Sequence, residues 1–168
     1  MSNFGRMSGK KPKRSEQRKW IDKLDKVFSL YIRMRDSREF QYKAFRCISC
    51  GRYLPIDKAD NGHYVSRANM SLRFDPRNCN AECTFCNRMS SDHLIGYRKN
   101  LVVKLGMSAF KNAHPSMSPV MEVVKSLGER EVELLEAEKY QTRKWSVLEL
   151  QETYKYYAAL VLKMKDEM

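Results

Sequence analysis

The sequence contains no hydrophobic run long enough to cross a membrane, and its first residues are polar and basic. A secretory signal needs an apolar stretch after its charged start, so this pattern predicts a protein that stays in the cytoplasm. The sequence also lacks an internal repeat, a Gly-rich phosphate-binding loop and a Ser/His/Asp arrangement. We therefore expect no membrane contact and no small-molecule substrate.

Positive charge is abundant and unevenly distributed. The 168 residues include 32 Lys and Arg against 20 Asp and Glu, for a formal net charge of +12. All of the excess lies in the first 100 residues, and most of it precedes residue 47. A chain of this kind is expected to meet a polyanion through its N-terminal part. A basic tail alone is also a common solubility feature.

The hydrophobic pattern divides the chain into four parts and predicts an α+β, mostly helical protein. Residues 1–14 have little apolar content and should form a disordered basic tail. Residues 15–46 have apolar side chains at three- and four-residue steps to about Arg35, which predicts a basic amphipathic helix. Residues 47–100 contain four cysteines in two close pairs, and residues 101–168 have helical spacing.

The basic face of the predicted N-terminal helix is a candidate DNA-binding surface. It presents Lys19, Lys23 and Lys26. Simple solvation of these side chains is the alternative interpretation.

The C-terminal region should contain several helices. We predict one over residues 101–113, one that begins at Met121 and ends at Gly128, and a separate acidic helix over residues 129–140.

The last helix has the clearest start signal. Ser146 and Glu149 form a capping box, and Trp145 and Leu150 are placed as a hydrophobic staple. One apolar stripe follows, which indicates either core or a dimer seam. Its members are Leu150, Tyr154, Tyr157, Val161 and Met164.

Two C-x-x-C pairs, Cys47/Cys50 and Cys83/Cys86, enclose the middle of the chain. In a basic chain without a secretory signal, such pairs favour a tetrahedral zinc site over disulfides. A four-thiolate shell leaves no open position, so this zinc should be structural. Cys79 can in principle replace Cys83 as a ligand; otherwise it is a small buried apolar residue.

Three polar residues between and after these pairs suggest a second site. His63 lies in a short strand-like run, Asn78 follows a loop, and Asn87 comes directly after the last cysteine at the start of a helix. This order resembles the ββα-metal motif of the HNH nucleases, in the zinc-braced version shared with phage endonuclease VII.

The expected local elements follow from the same stretch. Residues 51–56 should form a hairpin with the strand at residues 62–65, and residues 66–77 should form a loop. The helix that includes Cys86 should continue past Ser90 toward Tyr97.

The HNH resemblance implies a chemical role for each polar residue. Hydrolysis of a phosphodiester needs a deprotonated water and a cation against the scissile and leaving oxygens. A neutral imidazole accepts a proton near pH 7, so His63 is the expected general base. Asn78 should fix the loop and the ring, and Asn87 should supply an oxygen to the cation.

The other ligands of the cation have more than one candidate in the sequence. Many HNH sites have an Asp directly before the His, where this chain has Gly62. Asp60 lies on the same strand face as position 62 and is the expected substitute; an Asp-Asn-Gly turn is the alternative. His93 can join or replace Asn87, or it is an exposed helix residue. Oxygen ligands suit magnesium or manganese.

Five arginines surround these positions and are candidates for phosphate contacts, although each is also explained as a surface charge. They are Arg67, Arg73, Arg77, Arg88 and Arg98.

Further runs extend the resemblance from about Leu24 to the last helix. They are LDKVFSLYIRMRD, CISCGR, ADNGHYVSR, LRF, CTFCN, YR and KWSVLEL. These runs resemble the NinG (Rap) family of phage recombination proteins. The resemblance implies a metal-dependent endonuclease that acts on branched DNA, such as Holliday junctions and D-loops, in the host cytoplasm.

Resolution of a junction requires paired nicks, so we expect a homodimer with the C-terminal helices as its seam. Two alternatives remain at this point. One is a non-catalytic zinc-ribbon protein that binds DNA or mediates recombination. The other is a sequence-specific HNH nicking enzyme.

Overall fold

A computed structural model describes residues 15–168 of the chain. The predicted disordered tail at residues 1–14 lies outside the described residues. The described part is α+β and mostly helical, as expected, with five α-helices and two small antiparallel sheets. None of its helices combines the length and hydrophobicity that a membrane span requires.

The N-terminal helix, α1, spans Glu16–Ser37, which confirms the amphipathic pattern. Ser15 caps it by accepting a hydrogen bond from the backbone N–H of Arg18. Its apolar face is buried, with Leu24 and Phe28 among its core residues. The residues between α1 and the first cysteine form a short 3₁₀ helix at Arg38–Phe40 and strand β1 at Ala44–Arg46.

The strands pair differently from the prediction. Strand β2, Tyr53–Pro55, pairs with β1, and strand β3, Ala59–His63, pairs with β4, Cys79–Cys83. The expected hairpin between residues 51–56 and 62–65 is therefore wrong. The Cys47–Cys50 turn reverses the chain directly after β1, so β2 pairs with β1. A 3₁₀ helix then changes the chain direction before β3 begins.

The helix after the second cysteine pair is short. Helix α2 spans Thr84–Met89, and α3 spans His93–Ala113. The predicted continuation past Ser90 is wrong because Ser90 has an extended backbone, with φ −94° and ψ 121°. The expected separate helix over residues 101–113 is the second half of α3. The break allows α3 to turn back and pack Tyr97 on β3 and β4.

Helix α4 spans Met121–Glu138 without interruption, so the predicted stop at Gly128 is wrong. Gly128 instead lies where α4 crosses α3. A Cβ on Gly128 would lie 1.9 Å from the carbonyl oxygen of Val102, and a Cβ on Gly106 would lie 1.9 Å from that of Val124. The two glycines serve close helix packing rather than helix termination.

The last helix, α5, spans Val147–Asp166, and its predicted capping box is confirmed. Its apolar stripe packs on α1 within the same chain. The ring centroid of Tyr157 lies 4.8 Å from that of Phe28 and 4.9 Å from that of Tyr31. Of the two interpretations, the stripe is therefore core, and it is not available as a dimer seam.

Candidate functional site

Four cysteines come together where β4 enters α2. The sulfur atoms of Cys47, Cys50, Cys83 and Cys86 all lie within 4.8 Å of one another. A tetrahedral zinc ion with bonds of about 2.3 Å places its thiolates about 3.8 Å apart, so this spacing fits a four-thiolate shell. These thiols can hold a zinc ion.

Hydrogen-bond donors around the sulfurs match that role. The backbone N–H of Cys83 donates to the sulfur of Cys47 at 3.3 Å, and the Arg52 Nε donates to the sulfur of Cys50 at 3.5 Å. Such donors stabilise thiolate charge. Cys79 takes no part, because it is buried in the core on α1 and its sulfur approaches the carbonyl oxygen of Arg73.

His63 is the last residue of β3, opposite Cys79. Its Nε2 lies 3.1 Å from the carbonyl oxygen of Arg73. A carbonyl oxygen only accepts, so Nε2 carries the proton and the lone pair of the neutral ring is on Nδ1. Burial lowers the pKa of His63, and the nearby charge of Arg67 acts in the same direction. The ring is therefore neutral near pH 7.

Asn78 is fully buried and ties together the two ends of the loop at residues 64–78. Its Oδ1 accepts from the Val65 N–H at 2.7 Å, and its Nδ2 donates to the carbonyl oxygens of Val65 at 2.9 Å and Leu72 at 3.1 Å. The contacts of Asn78 fix the loop. The His63 ring is held by the Arg73 carbonyl, which is part of the same loop.

Asp60 and Asn87 lie together, as their predicted roles require. The Asn87 Nδ2 donates to Asp60 at 3.2 Å. However, Arg88 also pairs with both oxygens of Asp60, at 2.9 and 3.0 Å. Direct binding of a cation by Asp60 stays a prediction, and it would compete with this ion pair.

Glu82 is a site residue that the sequence pattern did not reveal. It lies on β4 opposite Asp60, and its side chain is 0% exposed. Its Oε1 accepts from the Ser49 hydroxyl at 2.5 Å and lies 2.8 Å from the Nδ1 of His93. A Glu before a cysteine has no distinctive sequence signal. Asn80 and Glu82 share one face of β4, but this strand itself is not recognisable from the sequence.

The Tyr97 hydroxyl holds α3 against this sheet. It donates to the carbonyl oxygen of Gly62 at 3.0 Å and accepts from the Asn80 side chain at 3.1 Å. Gly62 directly precedes His63 in the sequence. The position of α3, and with it that of His93 at its first turn, is thereby fixed relative to the strand that presents His63.

Two of the five arginines keep largely exposed guanidinium groups, and three have mainly internal partners. Arg73 is buried and pairs with Asp25 of α1 at 2.9 and 2.5 Å, so its predicted phosphate contact is replaced by a structural ion pair. Arg77 pairs with Asp75 and Glu138, and Arg98 pairs with Glu129 and Glu136. The exposed ones are Arg67 and Arg88.

The predicted basic face of α1 is exposed. Lys19, Lys23 and Lys26 all point to solvent, and the Lys23 ammonium lies 4.0 Å from the ring centroid of Trp20. DNA binding by this face stays a prediction.

Comparison with known proteins identifies one family. The family model described as "Bacteriophage Lambda NinG protein" matches residues 5–119, a range that includes both cysteine pairs, His63 and His93. "Protein ninG" of Salmonella phage P22 is 36% identical over 91 residues, which are 54% of this chain and 41% of that protein. "Protein ninG" of Escherichia phage 933W is 36% identical over the same length, which is 42% of that protein.

"Protein ninG" of Escherichia phage lambda is 35% identical over 91 residues, or 41% of its length. The chain thus spans about two fifths of the length of the curated relatives it matches. No solved structure matches the chain significantly. Because the family model covers well over half of the 168 residues, the chain belongs to the NinG family of lambdoid phage proteins.

Proposed function

We propose that this chain is a divalent-metal-dependent endonuclease that cuts branched DNA, such as Holliday junctions and D-loops, during phage recombination. The observation that carries the proposal is the placement of His63. It ends strand β3 of a β3–β4–α2 unit that is fastened by the four-cysteine cluster, and its Nε2 is held by the Arg73 carbonyl. This arrangement supports an HNH-type, ββα-metal site.

His63 acts as the general base. With Nε2 occupied by a carbonyl oxygen, Nδ1 is the atom that takes a proton from the attacking water. Burial keeps the ring neutral, and Asn78 holds the loop that supplies the carbonyl. The ring is thus oriented before the substrate binds, which reduces the cost of alignment.

The cation belongs beside position 62, directly before His63, where the carboxylate of Glu82 lies. Position 62 shares a strand face with Asp60 and with Glu82, which lies opposite Asp60 on β4; Asp60 contacts Asn87, and Glu82 contacts His93. Oxygen and imidazole donors of this kind fit magnesium or manganese. When bound, such an ion supplies charge stabilisation at the scissile phosphate and the leaving oxygen.

The cysteine cluster has a structural role in this proposal. Zinc bound by four thiolates has no open position for water. It joins the turn after β1 to the end of β4 and the start of α2, and so supports the strand that faces His63.

Exposed basic residues supply the DNA-binding surface. Phosphate contacts come from Lys19, Lys23, Lys26, Arg67 and Arg88, because their cationic groups are solvent-accessible. Paired nicks at a junction are delivered by a homodimer, whose interface does not use the apolar stripe of α5.

One observation favours a second candidate, a non-catalytic zinc protein that binds DNA or mediates recombination. Arg88 neutralises Asp60, the carboxylate first expected to bind the catalytic ion. A DNA-binding protein has no need of a free carboxylate at this position.

A cleavage assay with the wild-type protein distinguishes these candidate functions. A labelled four-way junction and a linear duplex of the same sequence are incubated with magnesium, with manganese or with a chelator. We expect cleavage of the junction that requires the divalent ion, with little cleavage of the duplex. Tight junction binding without cleavage in any metal would favour the non-catalytic protein, and cleavage of the duplex at one consensus site would indicate a sequence-specific nicking enzyme.

A further inference from the structure

Glu82 is a buried carboxylate with an unsatisfied oxygen. Its side chain is fully enclosed, and among residues 15–168 its Oε2 has no hydrogen-bond partner. Burial of a carboxylate oxygen without a hydrogen-bond donor lowers stability by roughly several kcal/mol. Native structures therefore rarely retain such an oxygen unless a cation or another group binds it. The environment of Oε2 therefore points to a missing positive partner.

Gly62 makes room for this carboxylate. A Cβ at position 62 would lie 2.2 Å from Oε2 of Glu82 and 2.7 Å from its Cβ, so any larger residue here would collide with Glu82. The space that a side chain directly before His63 would occupy is filled by the Glu82 carboxylate. A group on the opposite strand thus reaches the place next to the proposed base.

His93 completes a pair of donors. Its Nδ1 lies 2.8 Å from Glu82 Oε1, and the proton that the ring donates in this hydrogen bond is the one that a bound cation would replace. Neighbouring ligands of an octahedral ion with bonds of about 2.1 Å lie about 3 Å apart, so this separation fits two adjacent ligands of one ion. His93 is the first residue of α3, which Tyr97 fastens to the sheet. The imidazole is therefore held near the carboxylate by two elements.

Asp60 is less suitable than Glu82. Both of its oxygens already accept hydrogen bonds from Arg88, and one also accepts from Asn87. A cation at Asp60 would have to displace a charged guanidinium, whereas Glu82 has a free oxygen.

We propose that Glu82 and His93 form the divalent-cation site of this chain, with Glu82 as the carboxylate ligand instead of Asp60. The inference rests on the proposed nuclease function and deepens it by naming the ligands of the ion. Manganese and magnesium are the ions that a mixed carboxylate and imidazole pair would accept.

Manganese binding to the zinc-loaded protein tests this site without DNA. Free Mn²⁺ is measured by electron paramagnetic resonance in titrations of wild type, Glu82→Gln, His93→Ala and Asp60→Asn, with His114→Ala as a control outside the site. We expect Glu82→Gln and His93→Ala to weaken binding about 10-fold or more, since each removes a donor. Asp60→Asn and His114→Ala should retain the wild-type affinity.

Folding is checked by zinc content and thermal melting of each variant. His93→Ala keeps the test decisive if Glu82→Gln does not fold, because the His93 side chain is partly exposed. Wild-type affinity in the folded Glu82→Gln or His93→Ala variant, or loss of binding in Asp60→Asn alone, would overturn the inference.

Cleavage by the wild type separates the two proposals. Junction cleavage together with unchanged manganese binding in Glu82→Gln would overturn this site and leave the nuclease function intact. Manganese binding that depends on Glu82, without cleavage of any branched DNA, would support the site and refute the nuclease function.

Discussion

At the residue scale, the pKa of His63 has a direct consequence for activity. Burial moves this pKa below its usual value of 6.5. A general base works only when it is unprotonated, so cleavage should be constant above that value and fall as the pH drops below it. We predict an acidic limb with its midpoint under 6.5.

Single-turnover cleavage of a four-way junction across this range, at saturating protein and fixed ionic strength, measures the limb. A midpoint clearly above 6.5 would show that a different group controls the rate, because burial, the largest influence on the pKa of His63, lowers it.

Residue types and spacing predict part of the site, but not all of it. The four cysteines are recognisable because two C-x-x-C pairs in one chain are typical of a zinc site. Glu82 and the pairing of Arg73 with Asp25 depend on contacts between distant segments. No local sequence pattern predicts such contacts. Neither the position of the Glu82 carboxylate beside Gly62 nor the ion pair of Arg73 with Asp25 therefore follows from the sequence.

At the element scale, the crossing of α3 and α4 depends on Gly106 and Gly128. Gly128→Ala would improve intrinsic helix propensity by about 1 kcal/mol. It would also place a methyl group 1.9 Å from the Val102 carbonyl oxygen, which belongs to the backbone and cannot rotate away. We predict that the clash dominates and that unfolding free energy falls by about 1–3 kcal/mol.

Urea unfolding of Gly128→Ala beside Ser126→Ala measures this balance. Ser126 lies on the exposed side of the same helix, so its substitution reports propensity without the contact. Equal or greater stability of Gly128→Ala than of Ser126→Ala would mean that the helices separate at little cost.

The elements themselves differ in how well the sequence predicts them. Helices α1 and α5 follow from a long apolar period and, for α5, a capping box, because these signals are local. Strand β4 is buried on both faces and only five residues long, so it has no alternation to reveal it. Gly128 has the sequence signature of a helix end but serves packing, which only the tertiary structure distinguishes.

At the scale of the whole molecule, the cysteine cluster connects segments that are otherwise weakly joined. Strands β1 and β2 form one small sheet, β3 and β4 another, and Cys47 and Cys83 lie at the boundary between them. Two-stranded sheets are marginal by themselves. We predict that removal of zinc lowers the melting temperature strongly and disorders residues 47–100 before α1 and α5 separate.

Metal analysis should give one zinc ion per chain, and amide hydrogen exchange with and without chelator should locate the loss of protection. Unchanged melting and unchanged protection of β4 after complete metal removal would contradict a structural role for the cluster.

The most direct test of the account is the effect of His63→Ala on cutting and on binding, measured on the same four-way junction. His114→Ala is the matched control, because His114 is exposed at the end of α3 and lies outside the site. We predict that His63→Ala lowers cleavage by a factor of about 10² or more, as expected for loss of a general base, while junction affinity stays near that of wild type. Cleavage by His63→Ala at the rate of His114→Ala would contradict the assignment of His63 and with it the proposed catalytic site.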